Sequence, residues 1–175
     1  MGKVAEKADG KFTSSIAFDG DRIHAAAIYC SDGRFGEQMD EFLHDGLKLP
    51  RYDRLALPGG PACFSGSLHS FWEGQSAERQ LDFLSRVHGL ERLVVIAHAG
   101  CAFYLDWLKV KPEDLETRQL EDLAKTVARV RHKQPTLKVS AYLARKEGTR
   151  IWFDPVSVAE SEVKARTAKR AATTS

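Results

Sequence analysis

Short, continuously apolar segments alternate with segments of helical periodicity, and this alternation is the feature that most restricts the fold. The apolar segments Ile23–Cys30 and Leu93–Ala97 have the length of strands and suit strands buried on both faces. A further strand is predicted at Tyr52–Leu57, just before the turn-forming Pro58. Since strands that alternate with helices favour right-handed crossovers, we predict an α/β fold with a central, mostly parallel sheet of four to five strands flanked by helices.

The spacing of apolar residues predicts three helices between these strands. The first begins near Phe35 and ends at Gly46, and the second covers Ser76–His88. The third opens at Pro112, followed by acidic residues that suit the first turn of a helix. Two more strands, Leu137–Leu143 and Arg150–Phe153, follow it and are joined by a turn. The apolar stripe of the third helix consists of Leu120, Leu123, Val127 and Val130.

The length of 175 residues predicts one domain. We place this domain at residues 21–156, with an N-terminal arm at 1–20 and a charged C-terminal tail or helix at 157–175. With 26 basic and 24 acidic side chains, the near-balanced charge argues against a dedicated nucleic-acid binder. Three cysteines are too few for a disulfide-dense secreted fold. Because no apolar segment has the length of a membrane span or the pattern of an export signal, we predict a cytoplasmic protein with no membrane partner.

Three side chains that bind metals fall at the ends of two predicted strands. Cys30 ends the first strand, and His98 and Cys101 follow the strand at Leu93–Ala97. Because neighbouring parallel strands lie ~4.8 Å apart and end at the same edge of a sheet, these residues can converge on one point. Two thiolates and one imidazole are a ligand set typical of Zn²⁺. We therefore predict a metal site made of Cys30, His98 and Cys101, and no site for an organic cofactor.

A carboxylate lies beside this predicted site. Asp32 follows Cys30 by two residues, and the guanidinium of Arg34 can hold it through two hydrogen bonds. Two roles remain open for Asp32. Held by Arg34, it accepts a hydrogen bond from metal-bound water; released from Arg34, it binds the metal and closes the site. Since Cys63 has no ligand residue beside it, the fourth position on the metal is either open to water or filled by a carboxylate.

Two motifs in this region resemble those of the β-class carbonic anhydrases. Cys30–Arg34 matches their C-x-D-x-R motif and His98–Cys101 matches their H-x-x-C motif, in the same order, and the resemblance extends over Ile23–Phe153. It implies that Cys30, His98 and Cys101 are zinc ligands and that Asp32 and Arg34 form the catalytic dyad. The implied activity is the reversible hydration of carbon dioxide to bicarbonate by zinc-bound hydroxide. The implied assembly is a homodimer or a higher homo-oligomer, and the implied fold is a mostly parallel sheet flanked by helices.

The chain departs from this family pattern around the predicted site. Ala97 and Ala102 stand where the family usually has glycine, Leu57–Gly60 differs from its usual sequence, and Phe103–Trp107 is bulkier. These departures concern the substrate pocket rather than the metal ligands. Two alternatives therefore stay open: the same zinc scaffold hydrolysing CS2 or COS, and a zinc-binding regulatory protein without turnover. His69 and His88 are the candidates for carrying the proton away.

Overall fold

Five strands and three α-helices are found in residues 10–66 and 71–158, the part of the chain that the computed structural model describes. In chain order they are β1 (Ala25–Cys30), α1 (Gly36–Glu41), β2 (Asp53–Leu57), α2 (Phe71–His88), β3 (Arg92–His98), α3 (Leu115–Lys133), β4 (Lys138–Glu147) and β5 (Arg150–Pro155). Short 3₁₀ turns at Gly33–Phe35, Gly60–Cys63 and Pro112–Asp114 and wider turns at Phe42–Gly46 and Phe103–Trp107 complete the elements.

The five strands form one sheet with the order β2-β1-β3-β4-β5. The first four strands in this order pair in parallel, and β5 pairs with β4 in the antiparallel sense. This architecture confirms the predicted α/β fold with a mostly parallel sheet of four to five strands. Since β1 and β3 are parallel neighbours, their carboxyl ends lie at the same edge of the sheet.

Both faces of the central strands are covered, which explains their continuous apolar sequences. Along β1, Ala26 and Ile28 pack on the face that holds α2 and α3. The alternate residue Ala27 packs on the opposite face, against Met39 of α1. Strand β3 divides its side chains in the same way. The helices therefore fix the sheet from both sides, and its carboxyl edge can hold side chains in set positions.

Some elements extend beyond their predicted limits. Helix α2 begins at Phe71 rather than Ser76, and β4 continues to Glu147, so the β4–β5 turn is shorter than predicted. Glycine has a low helix propensity, so Gly74 prevents the sequence pattern from predicting the first turns of α2. The structure supplies the reason for this glycine: a Cβ at Gly74 would lie 2.7 Å from the carbonyl oxygen of Cys63.

Several predicted features lie outside the described residues. These are residues 1–9 of the predicted arm, His69, and residues 159–175 of the predicted tail. Among the described residues, no helix combines the length and the apolarity needed to cross a bilayer.

An ion-pair cluster joins α2 to α3 and gives a testable pH dependence. Arg129 and Lys133 both donate hydrogen bonds to the carboxylate of Glu78. Burial alone would raise the pKa of Glu78, but these two cations hold that pKa below its usual value. A carboxyl whose pKa is lowered on folding stabilises the protein above its unfolded-state pKa of ~4.3, and this contribution is lost as the pH falls further.

We therefore expect Glu78→Gln to lower the free energy of unfolding by about 1 kcal/mol at pH 7, because it leaves two cations without their carboxylate. The difference from wild type should shrink as the pH falls from 5 to 3.5 (roughly the range over which an unfolded carboxyl titrates). Urea unfolding at several pH values measures it. Glu121→Gln is the control, since its pair with Lys125 is exposed and should contribute almost nothing. A deficit that is the same at every pH would contradict this account.

Candidate metal centre

The three predicted ligand residues meet at the carboxyl edge of the sheet. Cys30 ends β1, His98 ends β3, and Cys101 lies three residues further along. The atoms that these side chains could offer to a metal all lie within 4.8 Å of one another. All three residues are buried. The cluster can therefore hold a metal ion.

A tight turn brings Cys101 back to the end of β3. Gly100 has a φ of 65°, in the left-handed region that residues with a side chain avoid. On one side of this glycine, the backbone N–H of Ala99 donates to the carbonyl of Ala144 on β4, 2.8 Å away. On the other side, the N–H of Tyr104 donates to the carbonyl of Cys101 at 3.1 Å. The turn is thus tied to the sheet at one end and to the following segment at the other.

The two sulfurs interact directly. Their Sγ atoms are 3.7 Å apart, and the backbone N–H of Gly59 donates to Cys30 Sγ at 3.3 Å. The hydrogen bond with Cys101, together with His98 and the Gly59 N–H, outweighs burial and lowers the pKa of Cys30 to about 4. The same hydrogen bond and burial raise the pKa of Cys101. Cys30 is therefore the more acidic of the two thiols, and a bound cation would favour loss of the proton from Cys101 as well.

His98 presents one nitrogen with no partner. Its Nδ1 lies 3.0 Å from the carbonyl oxygen of Ala99. Because a carbonyl only accepts, Nδ1 carries the hydrogen and the lone pair of the neutral ring is on Nε2. Within the described residues, the buried Nε2 has no hydrogen-bond partner. A buried imidazole lone pair beside two sulfurs suits a metal ligand.

Phe35 fixes the plane of the His98 ring. The two ring centroids are 4.3 Å apart, and both side chains are buried. Phe35 directly follows the first motif and is the last residue of the 3₁₀ turn Gly33–Phe35, so the turn that carries Arg34 also supports the histidine of the second motif.

Asp32 is held by Arg34. The guanidinium donates from Nε to Oδ1 at 2.9 Å and from Nη2 to Oδ2 at 2.6 Å, and the backbone N–H of Arg34 also donates to Oδ1. These bonds, the guanidinium contact above all, lower the pKa of Asp32 to about 2. Its carboxylate is therefore ionised at neutral pH and can only accept hydrogen bonds. Of the two arrangements left open by the sequence, this structure shows the one in which Arg34 holds Asp32.

The loop after β2 packs against Cys30. Gly59 and Gly60 both have positive φ angles, of 74° and 50°. A Cβ at Gly60 would lie 2.8 Å from the backbone nitrogen of Cys30 and from the carbonyl carbon of Tyr29. Because these are backbone atoms, they cannot move aside cheaply. Only glycine allows the loop to approach closely enough for the Gly59 N–H to reach the sulfur.

Gly60→Ala should accordingly lower the free energy of unfolding by about 2–4 kcal/mol, through steric overlap and an unfavourable φ. Urea denaturation measures the loss. Gly36→Ala is the matched control, because Gly36 has a negative φ and open space where a Cβ would be added. That variant should stay within about 0.5 kcal/mol of wild type or gain slightly. Equal stability of the two variants would show that Gly60 does not lie this close to the backbone of Tyr29 and Cys30.

The candidate His88 lies elsewhere, and so does Cys63, which the sequence had already set aside as a ligand. His88 binds Asp53 through Nδ1 at 2.6 Å, and Asp53 begins β2, so this pair is at the opposite edge of the sheet from the cluster. His88 as the carrier of the proton is therefore wrong. Cys63 is buried and donates to the carbonyl of Pro58 at 3.4 Å, apart from the three-residue cluster.

Sequence reasoning missed polar side chains of α3 that reach the loops of the centre. Gln119 and Thr126 donate to the main-chain carbonyls of His98 and Pro61, respectively. Asp122, between them, is fully buried. The sequence does contain a signal for these residues. They adjoin the apolar stripe of the helix, and residues beside that stripe are expected to be buried rather than exposed to solvent.

Comparison with known families identifies a relationship that covers most of the chain. Residues 21–151 match the family model described as "Putative carbonic anhydrase". None of the curated proteins compared with the chain matches it.

Solved structures share the fold. The β-carbonic anhydrase isoform I from the protozoan Trichomonas vaginalis is 15% identical, with a TM-score of 0.51 over 81% of this chain and 87% of that one. A carbonic anhydrase from Glaciozyma antarctica is 19% identical, with a TM-score of 0.50 over 76% of this chain and 82% of the other. At these identities the likeness concerns the architecture alone.

Proposed function

Because the chain belongs to this carbonic anhydrase family, we propose that it catalyses the zinc-dependent, reversible hydration of carbon dioxide to bicarbonate. The observation that carries the proposal is the convergence of Cys30, His98 and Cys101 at one buried point, beside a carboxylate held by Arg34. The metal ligands are Cys30, His98 and Cys101 in this proposal, and Asp32 and Arg34 are the catalytic pair.

The donor set and its spacing fit zinc. Two sulfurs that each lie ~2.3 Å from one ion at the tetrahedral angle are about 3.8 Å apart. The observed separation between Cys30 Sγ and Cys101 Sγ is 3.7 Å. Nε2 of His98 supplies the third ligand, with its ring already oriented by the Nδ1 contact to Ala99. Two thiolates and an imidazole are borderline-soft ligands, which favour zinc over magnesium or calcium.

The protein's own groups would prepare the nucleophile and the substrate. When bound, zinc supplies a Lewis acid that makes hydroxide available from water near neutral pH. Asp32, ionised and held by Arg34, would accept a hydrogen bond from the nucleophile's O–H and so orient it toward the substrate. Since the side chain of Arg34 is largely exposed, it holds Asp32 from the solvent side.

The surroundings of the centre suit a small apolar substrate. Cys30 and Cys101 belong to a buried cluster with Ala62, Tyr104 and Leu115. Carbon dioxide has no net dipole and enters such surroundings without losing strong hydrogen bonds to water. The apolar setting also strengthens the electrostatic effect of nearby charges.

The segment that departs from the family pattern borders this region. The ring of Phe103 lies against Gly59, so close that a Cβ at Gly59 would meet it at 2.2 Å. Because Gly59 also donates to Cys30 Sγ, Phe103 shapes the space through which a substrate would approach beside that ligand. CS2 and COS are linear like CO2 and attacked at the same carbon, so they are the substrates to compare with it.

Stopped-flow CO2 hydration by the zinc-loaded protein tests the proposal. We expect turnover that is lost when a chelator removes the metal and returns when zinc is added back. Sulfide release from CS2 or COS without CO2 hydration would reassign the substrate, and metal binding without any turnover would indicate a regulatory protein. A homodimer or higher homo-oligomer is also part of the proposal, and light scattering coupled to size exclusion measures it.

A further inference from the structure

We propose that Gln119 and Thr126 of α3 are positioning residues, which hold the two loops of the metal centre in the geometry that binds the ion. This inference rests on the metal site of the proposed function and extends it to a helix that offers no ligand. Neither residue touches the ion or the substrate in this account. Each acts through a main-chain carbonyl.

One face of α3 carries an unusual set of buried polar residues. Gln119 is 1% exposed, and Asp122 and Thr126 are 0% exposed. Their spacing of three and four residues places them on one side of the helix. That side lies next to the apolar stripe formed by Leu123, Val127 and other residues.

Gln119 holds the end of β3. Its Nε2 donates to the carbonyl oxygen of His98 at 2.8 Å. The peptide unit that follows His98 leads to Ala99, whose own carbonyl accepts from His98 Nδ1. By fixing this peptide unit, Gln119 sets the carbonyl that orients the imidazole and leaves Nε2 facing the sulfurs.

Thr126 holds the loop beside Cys30. Its hydroxyl donates to the carbonyl oxygen of Pro61 at 2.9 Å. Pro61 follows the two glycines whose backbone packs on Cys30, and the Gly59 N–H donates to Cys30 Sγ. The Pro61 carbonyl also accepts from the backbone of Phe64 and Ser65, so Thr126 adds to an anchor that already exists. Its effect should therefore be smaller than that of Gln119.

Packing alone does not require polar residues here. A buried amide or hydroxyl without a partner costs roughly 1–3 kcal/mol, while an apolar side chain of similar size would fill the space without that penalty. Both polar groups donate their hydrogen bonds to carbonyls of the segments that contact or contain the proposed metal ligands. Partners of this kind around a metal site commonly change its affinity by about 10–100-fold when they are removed.

The test measures zinc affinity by chelator competition and the absorption spectrum of the Co²⁺-substituted protein. Gln119→Met keeps the length but loses the donor, and should weaken zinc binding by about 10–100-fold and shift the cobalt bands. Thr126→Val keeps the shape but loses the hydroxyl, and should weaken binding less. Thr126→Ser keeps the hydroxyl and should restore nearly wild-type affinity.

Gln134→Met is the matched control. Gln134 follows the same helix but ties it to Ser85 and Asp82 of α2, so its loss should reduce stability without changing zinc affinity or the cobalt spectrum. Wild-type affinity and spectrum in both Gln119→Met and Thr126→Val would overturn the inference, as would equal losses in Thr126→Val and Thr126→Ser. Should Gln119→Met not fold, the Thr126 pair decides. A wild-type protein that binds no zinc would instead overturn the proposed function, and this inference with it.

Discussion

Cys101→Ala is expected to abolish zinc binding and to lower CO2 hydration by about 10³-fold or more, to the background rate. The substitution removes one of the two sulfurs, which lie 3.7 Å apart. The remaining thiolate and imidazole bind zinc too weakly to retain it during purification, and without the ion water stays un-ionised at neutral pH. Elemental analysis and stopped-flow kinetics on the same sample measure both effects.

The third cysteine supplies the control. Cys63 is as buried as Cys101 but lies apart from the cluster. Cys63→Ala should keep its zinc and its turnover while losing about 1 kcal/mol of stability to the small cavity. If Cys101→Ala kept a full complement of zinc, the assignment of Cys101 as a ligand would fail.

Asp32→Asn should lower the turnover number by about 10²–10³-fold while zinc stays bound. The amide has the shape of the carboxylate but no charge, and its NH2 group repels the guanidinium of Arg34. The amide has one acceptor oxygen instead of two with which to hold the O–H of the nucleophile. Because Arg34 keeps the pKa of Asp32 at about 2, the wild-type group does not titrate near neutral pH.

Zinc content separates this effect from loss of the metal site. Asp45→Asn is the control, since it neutralises an exposed carboxylate in the turn that continues α1. It should leave both zinc content and turnover unchanged. Turnover within a few-fold of wild type in Asp32→Asn would show that the contact with Arg34 serves only to cap the turn at Gly33–Phe35.

The sequence was sufficient to predict the sheet because its central strands are buried on both faces. Continuous apolar runs such as Ile23–Cys30 have few alternatives to a buried strand when helical segments separate them in the sequence. The limits of elements were less predictable. Gly74 lowers the helical signal at the start of α2 for a reason that exists only in three dimensions, its contact with the Cys63 carbonyl.

The candidate site was predictable for a related reason. Parallel strands end at one edge of a sheet, so Cys30 and His98 were expected to come near each other if their strands were neighbours, as β1 and β3 are. The pairing of Asp32 with Arg34 could be foreseen as one of two arrangements, since they are two residues apart. His88 could not be excluded from sequence, because only the structure shows its bond with Asp53.

The supporting contacts were not predictable. A polar residue in a helix is normally exposed, and nothing in the sequence tells which carbonyl Gln119 reaches across 21 positions. The bond from the Gly59 N–H to Cys30 Sγ likewise depends on how one loop packs on another strand. Motifs therefore identify the ligands, and the structure identifies what holds them.

X-ray absorption at the zinc edge of the purified protein counts the sulfur and nitrogen atoms bound to the metal. We expect one zinc ion per chain with two sulfur neighbours at ~2.3 Å and an imidazole nitrogen at ~2.0–2.1 Å. Cys30→Ala should be purified without zinc, as is expected of Cys101→Ala. A zinc shell made only of oxygen and nitrogen, or one with two sulfurs that survives in Cys30→Ala, would contradict the meeting of Cys30, His98 and Cys101 around a single ion.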